Sequence, residues 1–449
     1  MNPNDGWSSR LVVRLGVIVL FFLVLTSHAS GEWKEKVLYS FQGGAEAGSV
    51  PAGGVVFDKQ GNLYGVTSDG GGVYQLKPPA KKGEGWTESV LYVFKGSTDG
   101  DGATPEGGLI IDSLGNLYGT TAYGGTGNCV LLGISVGCGT AYELSPPATK
   151  GGSWNETILY SFPTNKNGYY PWGDLVFDGA GNLYGATQFG GGKGYNNCNK
   201  YYGYCGTVFE LRPPKTRGGE WTEKVLHNFA SGTDGANPNG GLIFDSNGNL
   251  YGTTYGGGDE SGECGSGGCG TAFELQPPTE KGGAWPEKLL YRFHGLDGAN
   301  PAAGLVFGGR VNLYGTASAG ATGGNGALFE LVAPTKGGLP WKESVLYHFS
   351  NGDGGTSPEG ALTFDAGGYL CGTAFGGESH MGVVFRLKPP KSGQLLPLTV
   401  LYNFTGPPDG SEPKAKLISD GLGNLYSTTQ YGGTGTCQGG CGTVFRISP

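Results

Sequence analysis

No stretch of this chain repeats apolar residues at the three- and four-residue spacing of an amphipathic helix, which excludes bundles and architectures that alternate strand with helix. Clustered positive charge is also missing. Lys and Arg number 29 against 37 Asp and Glu, the net charge is −8 and the pI is near 5.3, a balance that excludes phosphate-backbone binding and hence a nucleic-acid partner. Histidine is scarce, with 5 in the chain, and none stands in an HExxH pattern, nor does a GxxxxGK[ST] phosphate loop occur. No catalytic residue is therefore assigned. After the N-terminal segment no second long apolar run occurs, so the remainder carries no further helical membrane span.

Glycine is plentiful, with 92 residues beside 26 prolines. Without order such a bias signals disorder, but here the glycines recur at fixed places. The phrase "DSNGNLYGTTYGGG" from Asp245 has near copies from Asp112, Asp178 and Asp420. A second phrase, "VLYxF" and its variants, begins at Val37, Val90, Ile158, Val225, Leu289, Val345 and Val400. The chain is thus a tandem array of seven repeats.

Each repeat holds four short pieces rich in β-branched and aromatic residues and bounded by Gly or Pro, such as "KVLHNF", "GLIFD", "NLYGTT" and "GTAFEL". The link from "GLIFD" to "NLYGTT" reads as a tight hairpin in which Asp245 accepts backbone N–H bonds and Gly248 takes a positive φ. Calcium binding by "DSNGN" is the rival; the repeat containing Gly308 in place of the Asp favours the turn. Seven units of four antiparallel strands predict an all-β fold, a seven-bladed β-propeller. The chain begins with one strand phrase, Trp33–Phe41, and ends with three. The N-terminal strand is therefore expected to close the last blade. Residues 30–449 form this single propeller, as a monomer.

Residues 1–29 read as a signal peptide: Arg10 and Arg14, the apolar "LGVIVLFFLVL", then small residues Ser27 and Ala29 for cleavage, with retention as an anchor the alternative. A secreted, periplasmic or cell-surface location follows. The cysteines agree with it, because Cys129 with Cys138, Cys198 with Cys205, Cys264 with Cys269 and Cys437 with Cys441 form local couples at one place in their repeats. In an oxidising compartment they read as disulfides; zinc is the rival, but no His accompanies them. Cys371 replaces a repeat Tyr and is expected as a buried thiol.

The phrases from "GGLIFD" through "GNLYGTT" to "VLYxF" resemble the GloVer-type (Gloeobacter/Verrucomicrobia) tandem-repeat family of exported bacterial proteins, and "D-x-x-GNLY" is similar to the inner strands of NHL-type propellers. The resemblance implies a propeller and export, and transfers no catalytic residues.

Strand direction places the "DG…P" loops and the cysteine-bridged loops on one face. Aromatic residues crowd there: Tyr123, Phe189, Tyr255, Phe375 and Tyr431 after the second strands, then Tyr169, Tyr170, Trp172, Tyr195, Tyr201, Tyr202 and Tyr204 in the third repeat. Flat rings beside amides suit a glycan; packing of the loops against one another is the competing reading. The loop acids Asp99, Asp101, Asp234, Asp297, Asp353 and Asp409 offer a Ca²⁺ site if they converge on the channel mouth, although "DG" turns explain them more simply. No other cofactor is called for. The expected function is an exported module binding a glycan or a surface protein. The alternatives are a polysaccharide hydrolase or lyase using channel carboxylates, or a purely structural surface protein.

Overall fold

The computed structural model describes residues 33–449 apart from 45–47, 165–166, 192–204, 217, 281, 310, 337–338, 351 and 391–394. Within them, seven antiparallel sheets stand in a ring, and the helical content is three short 3₁₀ turns. This is the seven-bladed propeller that the repeats predict. Blade 4 shows the pattern, with strands Ile243–Phe244, Leu250–Thr254, Thr271–Leu275 and Glu287–Arg292 hydrogen-bonded in that order from the axis outward. In blade 7 the outermost position belongs to Lys34–Ser40, which pairs with Thr443–Ser448 from Lys34 opposite Ser448 to Ser40 opposite Thr443. The ends of the chain share one sheet, as expected.

Burial follows from this radial stacking. The second and third strands lie between neighbouring blades, so Leu250–Thr254 and Thr271–Leu275 are buried at every residue, while the outermost strand of each blade is largely half-exposed. The repeated Phe of "VLYxF" explains how one blade holds the next. Phe229 of blade 3 meets Phe273 of blade 4 edge to face at 5.2 Å, and Phe41 meets Tyr74 across the closing junction at 5.0 Å. All seven junctions repeat the contact. Each such pair adds about 0.5–1.5 kcal/mol beyond its buried area. The glycine of "LYGTT" makes room for it: a Cβ on Gly252 would lie 2.6 Å from the Phe273 ring.

The hairpin phrase is turn chemistry. Asp245 Oδ1 accepts the N–H groups of Asn247 and Asn249, and Oδ2 accepts the Asn249 amide and the Tyr251 hydroxyl. Asp58, Asp112, Asp178 and Asp420 repeat all four bonds. These carboxylates are spent on their own turns, which removes the calcium reading of "DSNGN". Where Gly308 replaces the Asp, Glu330 of the third strand takes the Asn312 amide at 2.8 Å and the Tyr314 hydroxyl at 2.6 Å. The threonines have an equally local role: Thr254 Oγ1 shares a hydrogen bond with Thr271 Oγ1 at 2.8 Å and accepts the Thr271 N–H.

One expected strand is shorter than the sequence suggests. "GLIFD" forms ladder pairs only at Ile243 and Phe244, because the glycines before them lie at the axis, where blades crowd. A Cβ on Gly240 would lie 2.4 Å from the Ala303 carbonyl carbon of blade 5.

Candidate functional site

The innermost strands leave a central cavity of about 790 Å³ that opens among the loops leading into them. One position of the repeat contributes to its wall from every blade: the residue after the loop proline. These are Ala52, Glu106, Trp172, Asn239, Ala302, Glu359 and Lys414. Proline sets the approach and a Gly or Ala follows in every blade to bring the strand to the axis, so the residue between them sits at the funnel. The framework around it hardly changes from blade to blade, yet this position varies from methyl to indole to ammonium.

The charges around the funnel are unlike one another. Lys414 Nζ lies 3.7 Å from Glu359 Oε2 and 4.8 Å over the Phe375 ring. Asp174 Oδ1 accepts the Gly108 N–H at 2.6 Å, tying blade 3 to blade 2. Burial pushes the Glu106 carboxyl up to about 7, against the pull of nearby Lys414, which favours its charged form. A carboxyl poised there exchanges a proton near neutral pH.

Trp172 and Tyr255 are 37% and 40% exposed and line the cavity beside Gln188, Asn237 and Gln430. Phe189 reaches its wall too. The other expected aromatics divide. Tyr123, Tyr169, Tyr170 and Phe189 form one edge-to-face cluster with centroids 4.9–5.8 Å apart, locking blade 2 loops to blade 3 loops. Phe375 lies under Lys414, and Tyr431 is half-buried in a short ladder with Ser411. Tyr195, Tyr201, Tyr202, Tyr204 and Cys198 lie outside the described residues, as does the whole N-terminal segment 1–29.

Three disulfides join Cys129–Cys138, Cys264–Cys269 and Cys437–Cys441, and Cys205 is also disulfide-bonded. Each of the three loops returns beside the second strand through a glycine bridge, Gly124 to Gly137, Gly257 to Gly268 and Gly432 to Gly440. Blade 5 makes the same return, Gly320 to Asn325, without cysteines. The disulfide therefore braces a loop whose path is set by backbone pairing. The blade 4 loop brings Cys264 and Gly268 to the cavity wall. In blade 2 the loop carries a small hairpin, Val130–Leu131 with Ile134–Ser135, whose tip residue Leu132 is 96% exposed. Cys371 is a buried free thiol, raised by burial.

The loop acids do not meet at the channel mouth. Asp101, Asp297 and Asp409 each accept the hydroxyl of an outer-strand tyrosine, from Tyr92 at 2.8 Å, Tyr291 at 2.5 Å and Tyr402 at 3.0 Å. Asp234 lies 3.2 Å from His227 in the same arrangement. Asp353 sits near Tyr347, and Asp99 belongs to an exposed 3₁₀ turn. Their loops bend back to the blade's own outer strand, so each acid stays at its own blade junction.

Sequence reasoning missed Glu106, Asp174, Glu359, Lys414 and Lys416 at the funnel. The signal was present: the residue between the loop Pro and the Gly or Ala that follows it changes from blade to blade, and Asp174 and Lys416 stand two positions further on, where the other blades have Gly or Ala.

The fold and the axial cavity define a propeller built from one repeated hairpin phrase. Residues 260–449, which run from within the fourth blade to the end of the seventh, match the sequence model of the Gloeobacter/Verrucomicrobia repeat family. No curated protein matches the sequence. Among solved structures, virginiamycin B lyase from Staphylococcus aureus is similar at 14% identity over 93% of this chain and 100% of that one, with a TM-score of 0.53. An ulvan lyase of polysaccharide lyase family 25, bound to -[GlcA(1-4)Rha3S]-, is similar at 9% identity over 92% and 95%, with a TM-score of 0.50. At these identities the likeness is one of fold.

Proposed function

We propose that the protein is an exported module that binds a glycan in the central funnel. The observation that carries this reading is the ring of seven equivalent positions after the loop proline: a framework that repeats almost unchanged presents two Ala, two Glu, a Trp, an Asn and a Lys to one cavity. A scaffold needs no such asymmetry at its axis; a shaped ligand does. Trp172 and Tyr255 offer faces to the C–H surface of a sugar ring, and Gln188, Asn237 and Gln430 offer amides to its hydroxyls. The disulfides and the apolar N-terminal segment support export.

A second reading is favoured by Glu106. A carboxyl near 7 in the funnel, with Asp174 and Glu359 lining the same cavity, is a candidate acid–base group for cleaving the bound chain.

One experiment separates the two. The protein is screened against extracellular polysaccharides for retention and for chain shortening. Binding is expected to weaken about tenfold or more in Trp172→Ala combined with Tyr255→Ala, equivalent to about 1.4 kcal/mol. Unchanged retention in that variant sinks the funnel reading. Shortening that disappears in Glu106→Gln while retention persists establishes catalysis; no shortening leaves a binding module.

A further inference from the structure

We propose that the junction between blades 3 and 4 is a divalent transition-metal site formed by His227, Asp234 and Glu287. His227 is the penultimate residue of the outer strand of blade 3, Asp234 lies in the loop that leaves it, and Glu287 begins the outer strand of blade 4. Their donor atoms all lie within 4.8 Å of one another, and His227 Nε2 is 3.2 Å from Asp234 Oδ1. Bonds of about 2.0–2.1 Å in a tetrahedron separate neighbouring ligand atoms by roughly 3.3 Å, so small rotamer changes suffice to close the set.

The propeller supplies its own control. The same junction recurs around the ring with a tyrosine in the place of His227, and at three of these junctions, those of Tyr92, Tyr291 and Tyr402, the hydroxyl donates to the loop Asp. A phenol that donates its proton is a poor metal ligand at neutral pH; an imidazole nitrogen is a good one. Each of these junctions also carries a glutamate from the next blade, Glu156, Glu343 and Glu35, whose Oε1 is shielded from solvent without a hydrogen-bond partner. Glu287 Oε1 has the same unpartnered environment. Among the described residues, this junction alone sets an imidazole beside the loop carboxylate and that free oxygen.

The surroundings hold the donors in place. The Ala230 N–H binds Asp234 Oδ2 at 2.7 Å, which leaves Oδ1 toward the imidazole, and the His227 ring stands edge-on to Phe229 at 4.8 Å. Glu287 is withdrawn from water beside Asp234, which disfavours two charges there; His227 and Arg292, the latter bonded to the Thr233 carbonyl at 3.4 Å, act on Glu287 in the opposite sense, and a dication would hold both carboxylates charged. One nitrogen, two carboxylate oxygens and a water suit Zn²⁺ or Co²⁺. Such an ion would clip two blades together, whereas the hydroxyl–carboxylate bonds of Tyr92, Tyr291 and Tyr402 tie an outer strand only to the loop that leaves it.

The test uses the purified protein stripped with a chelator, then titrated with Co²⁺ and followed by its visible d–d absorption and by thermal melting. The expected result is one Co²⁺ per chain, displaced by Zn²⁺, with a melting temperature raised by several degrees. His227→Tyr installs the residue of the sister junctions. It is expected to melt with the wild type in chelator and to show neither the absorption nor the metal-dependent rise. Absence of metal binding by the wild type, or binding that persists in His227→Tyr, overturns the proposal.

Discussion

Two circles of carboxyl groups run around this propeller, and they solve opposite problems. The hairpin aspartates typified by Asp245 and Asp420 are each surrounded by four donors on their own turn. Burial pushes these two carboxyls up, but the donors outweigh it and hold both below the ordinary aspartate value. The junction glutamates Glu35, Glu156, Glu223 and Glu343 are also withdrawn from water, yet each keeps an oxygen with no donor. Burial raises them to about 8 for Glu35 and Glu343, helped by Asp409 and Asp297 respectively, and to about 7 for Glu156 and Glu223. A carboxyl short of donors supplies its own by keeping a proton. One phrase of the repeat thus favours the charged form, while another favours the protonated acid.

The comparison breaks most sharply under amide substitution. Asp245→Asn replaces an acceptor of the hairpin by an NH₂ that faces the Asn249 amide and Tyr251 hydroxyl or the two backbone N–H groups. It is expected to lower unfolding free energy by about 2 kcal/mol in urea titration. Glu343→Gln, which imitates a protonated acid, is expected to change it by less than about 0.5 kcal/mol at pH 6. Equal losses at the two sites would show that the junction acid is charged after all.

The pH dependence of stability comes next in size, and its sign differs between the circles. A junction glutamate in the folded protein holds its proton where the unfolded chain, near 4.5, has released it. Its contribution is complete below about 4.5 and is lost as pH rises to about 8. The hairpin aspartates do the reverse: their contribution is present above the ordinary value of 3.8 and disappears as pH falls through their depressed folded values. Melting temperature should therefore decline from pH 5 to pH 8, and the combined variant Glu35→Gln with Glu343→Gln should flatten that decline. A slope unaffected by these changes would remove the junction glutamates as its cause.

The architecture was legible in the sequence because each phrase has a local cause. Asp, Gly, Asn and Tyr of the hairpin bond within seven residues, and the Phe of "VLYxF" is needed once per junction, so repetition exposes both. The blade count and the closing strand followed. The funnel was less legible. Aromatic density pointed to Tyr169 and Tyr170, but rings abundant in glycine-rich loops pack on one another first, as these do with Tyr123 and Phe189. The acidic "DG" loops suggested convergence because their acids fall at the same place in each repeat. Radial repetition instead distributes equivalent positions around a circle, and only a position already at the axis converges. That position, after the loop proline, was marked by its variability, a signal opposite to the one that revealed the fold.

Blade 5 offers the finest discrimination, because it lacks the hairpin Asp and so moves its load to a neighbour. Glu330 there accepts both the Asn312 amide and the Tyr314 hydroxyl. In blade 4 the equivalent Glu274 meets Lys288 at 3.2 Å and the Gln276 amide, while Asp245 serves the turn. Removing the charge should therefore matter more in blade 5: Glu330→Gln is expected to cost about 1 kcal/mol, and Glu274→Gln less than about 0.5 kcal/mol since its lysine is half-exposed. Gly308→Asp does not simply restore the acceptor of the other blades, because a Cβ there would lie 2.2 Å from the Tyr314 ring. Equally small losses in Glu330→Gln and Glu274→Gln would mean that the Glu330 carboxylate does not carry the blade 5 turn, and the interchange of roles between the two acids would not hold.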